Sequence, residues 1–328
     1  MTVPPALAAP EAAADAAPRE PGPRRAARPT SGRRGRRFPG GRPLWLMLPT
    51  LLLLVLVIVV PFLLAVWIGF LDLDQYTLRQ LFSAPFIGLK NYSEGFAAGQ
   101  LLHSIWISAA FSVLTTAFCL PVGLLAALAV NSAFRGRGLV RSAFLIPYVI
   151  PSFVTAMVWR FLMRPDGAFN DFLAVFGITG GQWLIGEQAF WALVIVDTWA
   201  AWPFIYMMTT AGMQAIPDEL YEAAALDGAG WVARIRHVVL PGIRHQLLLG
   251  LLLSTLAHFN NFTLPYVLLG SPAPDAALTL PVNIFQTSFQ FFRFGLGSAM
   301  SVISLVLLMI PAIYYLRASK LTAAPGED

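Results

Sequence analysis

Between Arg42 and Asp72 the chain carries no charged side chain, and from about Leu44 to Leu71 it is overwhelmingly apolar. About 20 such residues, wound as a helix, are enough to cross the hydrocarbon core of a bilayer. There the backbone must satisfy its own polar groups, which leaves a helix or a closed barrel as the spanning structure. Five more stretches have the same character, from about Leu101 to Val130, Arg141 to Met163, Phe190 to Ala215, Gln246 to Leu269 and Gly295 to Tyr315. The expected fold is all-α, a polytopic integral membrane protein with six transmembrane helices. Apolar residues make up 57% of the chain, charged residues 12%, and mean hydropathy is +0.67, whereas a soluble domain carries roughly 25% charged residues.

Basic side chains set the expected orientation, because loops on the cytoplasmic side retain Lys and Arg. An arrangement with the N-terminus inside places Arg19, Arg24, Arg25, Arg28, Arg33, Arg34, Arg36, Arg37 and Arg42 in the cytoplasm, with Arg135, Arg137, Arg141, Arg234, Arg236, Arg244, Arg317 and Lys320. Only Arg79, Lys90, Arg160, Arg164 and Arg293 then fall outside. Residues 1–43, rich in Ala, Pro and Arg, are expected to be a disordered basic cytoplasmic tail suited to anionic lipid headgroups. They are not expected to be a signal peptide, since the following apolar run is too long. No folded module or interleaved aromatic pattern points to nucleic acid. The net charge of +5 is thus a property of the tail and the membrane rather than of a solute. Residues 44–320 form the expected permeation domain, and 321–328 a C-terminal tail.

Signs of catalysis are sparse. The sequence has no G-x-x-x-x-G-K-[ST] phosphate loop, no G-x-S-x-G elbow and no Ser/His/Asp pattern. The four histidines show no metal-ligand spacing, and the one cysteine, Cys119, has no partner for a disulfide. No metal site and no bound cofactor are expected, and any ATP-driven step requires a separate polypeptide.

Two polar sets interrupt the spans. Asp197, Ala201 and Phe204 follow i, i+4, i+7 spacing in the fourth, and Ser254, His258 and Asn261 do so in the fifth, so each set lines one helix face. An ionised carboxylate at the centre of a membrane helix costs about 2.5 to 3.5 kcal/mol on insertion scales, so Asp197 should face a cavity or a partner. A carboxylate, hydroxyl, imidazole, amide and aromatic ring together suit a hydroxyl-rich solute. Asp197 and Asn260 have a second reading as ties between helices. His258 equally suits a satisfied core position, and Trp199 and Trp202 suit packing. Pro203 and Pro265 mark either gating kinks or the tolerance of membrane helices for proline.

Between those spans lies a small-residue island, Glu222-Ala223-Ala224-Ala225-Leu226-Asp227-Gly228-Ala229-Gly230, running on to Val238-Val239-Leu240-Pro241. Pro217, Asp218 and Glu219 suit the first turn of a helix, where the dipole favours negative charge and proline's missing donor is harmless. Arg234, Arg236 and His237 sit where a second short helix would end. The alanines leave room for another protein's groove to approach, and Gly228 permits a sharp turn.

The island resembles the EAA loop of permease subunits in binding-protein-dependent ABC importers, with Glu-Ala-Ala, a Gly six residues after the Glu, and a closing Leu-Pro. The stretches Val196–Phe204, Gln214–Glu222 and Phe259–Phe262 extend the resemblance to the maltose-type, MalF-like permeases, over roughly residues 44–320. The segment Phe86–Tyr92 is similar to that family's first outer loop. The resemblance implies the ABC type I importer permease fold, carbohydrate import, and a multi-pass protein of the bacterial inner or plasma membrane with a cytoplasmic N-terminus. It implies three kinds of protein partner, a second homologous permease subunit, two ABC ATPase subunits that use ATP and Mg, and an extracytoplasmic solute-binding protein, to which the basic tail adds membrane lipid. By the same resemblance Asp197, Ala201, Phe204, Ser254, His258 and Asn261 stand at sugar-binding positions. Glu222, Ala223, Ala224, Asp227, Gly228, Leu240 and Pro241 belong to the ATPase-coupling loop of residues 216–242. Asp197 and His258 replace asparagines of the maltose protein and Ala201 a glycine, which leaves the sugar open. The alternatives are an ABC permease for another solute such as glycerol phosphate or a peptide, an integral-membrane enzyme with Asp197 and His258 as acid and base, and a secondary transporter with Asp197 as proton site.

Overall fold

The computed structural model describes residues 44–80, 84–132 and 134–322. The basic tail expected over 1–43 lies outside the described residues, as does the end of the C-terminal tail. The chain divides into two units, Met1–Leu52 and Leu53–Asp328. The described part of the first unit is helical, and the second unit holds the remaining elements.

Four helices are long and apolar enough to cross a membrane: α1 (Met47–Ile68), α3 (Gln100–Ala129), α7 (Gln188–Gln214) and α13 (Phe294–Thr322). Short α2 (Lys90–Ala97) precedes α3. Two bent pairs bring the possible number of spans to six. The first pair is α4 (Arg137–Val149) and α5 (Ser152–Leu162), which meet at 87°. A continuous helix was expected here. Ile150 is extended instead, at φ −68°, ψ 128°, because the ring of Pro151 crowds the helical conformation of the residue before it. The amphipathic α6 (Ala168–Val175) then leads to α7.

The loop after α7 forms α8 (Asp218–Leu226) and α9 (Trp231–Gly242). Pro217 caps α8 from just outside it. The second helix does not stop at Arg234–His237 as expected. It passes through a π-turn at Ile235–Val239 and takes in Leu240 and Pro241 before bending 70° into α10 (Arg244–Phe259). The expected fifth span also breaks at Asn260, and α11 (Thr263–Leu269) follows. Then come α12 (Leu280–Phe285), a π-turn at Gln286–Gln290, and α13. Among the described residues β structure is limited to one isolated bridge, Leu71 to Phe86.

The centre of the bundle is α3 against α7, with α10 laid across both. Gly123 is what allows the first contact. A Cβ there would stand 2.8 Å from the Ile205 Cβ and 2.8 Å from the Tyr206 backbone nitrogen. Small polar residues join the helices where hydrophobic association has little force, because lipid is as apolar as leucine. Ser104, Ser108, Ser112 and Thr116 recur every four residues along the buried face of α3. Asn283 Nδ2 donates to Ser104 Oγ at 3.0 Å, and the Leu280 N–H donates to Ser108 Oγ at 2.7 Å. Ser112 donates to the Thr255 carbonyl, and the Thr116 and Thr255 hydroxyls lie 3.3 Å apart. At the other side α13 packs on Val60–Ile68 and on α2, where the Asn91 amide donates to the Gly69 and Leu71 carbonyls at 3.0 and 2.9 Å.

Candidate functional site: a polar cluster between two helices and the loop that joins them

Asp197 of α7 and Ser254 and His258 of α10 are each at least 95% buried. They close on one another. His258 Nδ1 lies 2.6 Å from Asp197 Oδ2, and His258 Nε2 lies 3.0 Å from Ser254 Oγ. Asn261, in the break after α10, donates from Nδ2 to Asp197 Oδ1 at 3.2 Å. Its own Oδ1 accepts the Leu264 N–H at 3.3 Å, satisfying an early donor of α11 that has no partner inside the helix. The Phe111 ring of α3 meets the imidazole edge-on at 6.3 Å.

The four polar residues assigned to two separate faces therefore form one network between α7 and α10. A chain of Ser, His and Asp is present after all, although no linear pattern announced it: Ser254 and His258 are one helical turn apart and Asp197 comes from another helix. Ala201 and Phe204 stay outside the network. Both are half-buried, and the Phe204 ring stacks on Tyr148 of α4 at 6.3 Å. Trp199 and Trp202 pack edge-on against Trp159 and Phe144. The hydroxyl ladder of α3 that braces α10 was not singled out from sequence, though its four-residue repeat was there to find. Beside the break, Asn260, Phe262, Phe285, Phe289, Ser301 and Ser304 line a cleft of about 470 Å³.

The loop residues are displayed rather than packed. Glu222, Ala223, Asp227, Gly228 and Pro241 are exposed, while Ala224 and Leu240 are half-buried. Leu226 and Trp231 are also exposed. Gly228 adopts φ +70°, in the left-handed region that glycine enters without steric cost, and turns the chain from α8 towards α9. At the root of the loop Asn131, Met213, Gln214, Asp218, Tyr221 and Glu222 line a cavity of about 540 Å³. The Tyr221 hydroxyl is buried without a hydrogen-bond partner. Burial, and after it the charge of Asp218, push this phenol above its ordinary pKa.

Residues 119–320 match the family described as binding-protein-dependent transport system inner membrane component. The chain belongs to this family. Its matched region runs from α3 to α13 and so contains both helices of the polar network and the loop between them. Members of this transport family are non-catalytic permease subunits, and ATP is hydrolysed by separate ATPase subunits. The chain is accordingly a multi-pass inner-membrane permease. The trehalose/maltose transport system permease protein MalF of Thermococcus litoralis is 32% identical over 84% of this chain and 92% of its own length. The sulfoquinovosyl glycerol transport system permease protein SmoG of Agrobacterium fabrum is 31% identical over 83% and 88%. The sn-glycerol-3-phosphate transport system permease protein UgpA of Brucella abortus is 29% identical over 84% and 93%. Among solved structures, a chain of a bacterial ABC transporter involved in import of the acidic polysaccharide alginate shares the fold, with a TM-score of 0.72, 20% identity, and coverage of 85% and 96%.

Proposed function

We propose that this permease subunit carries an uncharged oligosaccharide or disaccharide of the maltose and trehalose type. One observation supports this reading above the rest: the loop of α8 and α9 is the covalent connection between α7 and α10, the two helices that carry the polar network. A push on the loop acts directly on the site. In this reading the bundle alternates between outward and inward openings, and Glu222, Ala223, Ala224, Asp227, Gly228, Leu240 and Pro241 receive the motion of the ATPases. Asp197, Ala201, Phe204, Ser254, His258 and Asn261 form this subunit's share of the solute site, with Phe204 supplying an aromatic surface. Two ABC ATPases use ATP and Mg on the cytoplasmic face, a second homologous permease completes the path, and an extracytoplasmic solute-binding protein delivers the sugar. The chain crosses the membrane six times with its N-terminus in the cytoplasm, where the basic tail meets anionic lipid.

Electrostatics favours an uncharged cargo. Along α3 and α7 there is no Lys or Arg, and Arg244 stands at the start of α10, ten residues before Ser254. His258, the one nitrogen base within the network, is already engaged by Asp197. A phosphorylated solute, such as the one in the UgpA relative's name, would find no free cation there. The test is ATP-dependent uptake of labelled trehalose and maltose into proteoliposomes that hold this chain with its sister permease, ATPases and binding protein. Uptake only in the full assembly is expected. Solute movement by this chain alone, or uptake of glycerol 3-phosphate in preference to the sugars, would overturn the proposal.

A further inference from the structure

We infer that Asp197 is a positioning residue: it does not itself touch the solute but fixes the hydrogen-bonding roles of His258 and Asn261, which do. The inference rests on the proposed solute site and adds a division of labour within it. Both carboxylate oxygens of Asp197 are already engaged, Oδ2 by His258 Nδ1 at 2.6 Å and Oδ1 by Asn261 Nδ2 at 3.2 Å. An ionised carboxylate only accepts, so Nδ1 carries a hydrogen, and in the neutral tautomer that the inference assigns it is the ring's only one. That leaves Nε2 as an acceptor, and the Ser254 hydroxyl at 3.0 Å donates to it. A sugar hydroxyl can replace Ser254 at the same nitrogen without any change in the ring.

The second bond does a different task. Asn261 sits where α10 has ended and α11 has not begun, with its carbonyl oxygen held by the Leu264 N–H. Asp197 thereby fixes the amide of the residue that shapes the break, leaving one amide hydrogen for a ligand. On α3, α7, α10 and α11 the other ionisable groups are His103, Cys119, Tyr206, Arg244, His245 and Tyr266. The helices packed on α7 and α11 add Arg137, Arg141 and Tyr148 of α4 and Arg160 of α5, of which Arg137 and Arg141 donate to the Val130 carbonyl and Arg160 to the Val267 carbonyl. His103 is engaged with the Asp275 carbonyl, and Cys119 with the Thr198 carbonyl.

The experiment uses the assembled transporter with 15N-histidine in this subunit and reads the tautomer of His258 by solid-state NMR, assigning its signals by their loss in His258→Asn. The expected result is a neutral ring protonated at Nδ1, converting in Asp197→Ala to a mixture or to the Nε2-protonated form. In the same assemblies the apparent KM for trehalose or maltose rises roughly three- to twenty-fold in Asp197→Ala, the range to which one membrane hydrogen bond of average to maximal strength converts. The paired variant Asp197→Asn/His258→Asn, which puts two amides able to bond each other at these positions, recovers at least half of the lost affinity. A ring protonated at Nε2 in the wild type, or an imidazolium, overturns the inference, as does a tautomer unmoved by Asp197→Ala. If Asp197→Ala fails to assemble, Asp197→Leu, close in shape and without an acceptor, gives the same tautomer comparison. The NMR result requires no sugar, so failure of the sugar assignment leaves this test standing.

Discussion

Replacing Gly228 isolates the contribution of a single backbone angle to coupling. At φ +70° an L-residue strains against its own carbonyl by about 1 to 2 kcal/mol, and a β-branched one is a clear outlier there. A Cβ at this position would meet nothing within 4 Å, so steric crowding by neighbours adds nothing and the cost is conformational. The turn is anchored by two bonds, Gly228 N–H to the Ala225 carbonyl at 3.1 Å and Ala229 N–H to the Ala224 carbonyl at 2.9 Å. A penalty of this size shifts the population of the native turn by a factor of roughly 5 to 30. Gly228→Val should therefore insert and assemble normally yet show about five-fold or more less sugar uptake per ATP hydrolysed. Gly228→Ala should fall between it and wild type, and Gly228→Asn, which tolerates the left-handed region, should lie nearest to wild type. Uptake and phosphate release measured together in proteoliposomes give the ratio directly. If Val matches wild type, the turn does not transmit force. If Asn is as impaired as Val, the backbone angle is not the cause.

Two further outcomes follow from the packing and the loops. Gly123→Val places atoms against Ile205 and the Tyr206 backbone, overpacking that costs typically about 1 to 3 kcal/mol. It should lower the thermal midpoint of the purified subunit, and an unchanged midpoint would show that α3 and α7 do not approach this closely. Asp74 is held below the ordinary carboxylate pKa, chiefly by the Thr77 N–H and further by the Tyr76 N–H and Thr77 hydroxyl. A depressed pKa means the turn gains from the ionised form above the unfolded value and loses that gain as pH falls through the folded one. Hydrogen exchange at Tyr76 and Thr77, corrected for intrinsic rates, should rise only below the usual carboxylate range near ~3.9. Loss of protection already at neutral pH would refute the assignment.

The long apolar runs were legible because lipid imposes its demand over a whole helix, residue after residue. Thus α3, α7 and α13 begin and end within a few residues of the expectation, save the longer C-terminal end of α13. The breaks were harder to see, since each depends on a local conflict inside an apolar stretch: Pro151 against Ile150, or the turn at Asn260 that separates α10 from α11. The site was legible in its parts and not in its assembly. Helical spacing placed Ser254 and His258 on one face, and the insertion cost of a carboxylate demanded a partner for Asp197, but periodicity within one helix says nothing about which face of another it meets. That depends on how closely the helices approach, and here Gly123 and the hydroxyls of α3 decide it. Ser112 and Thr116 hold Thr255, the residue following Ser254, and so set the rotation of α10 that turns His258 towards Asp197. A membrane protein has little hydrophobic force with which to enforce such a rotation. The hydroxyl ladder of α3 is therefore as much a determinant of the site as the residues that form it.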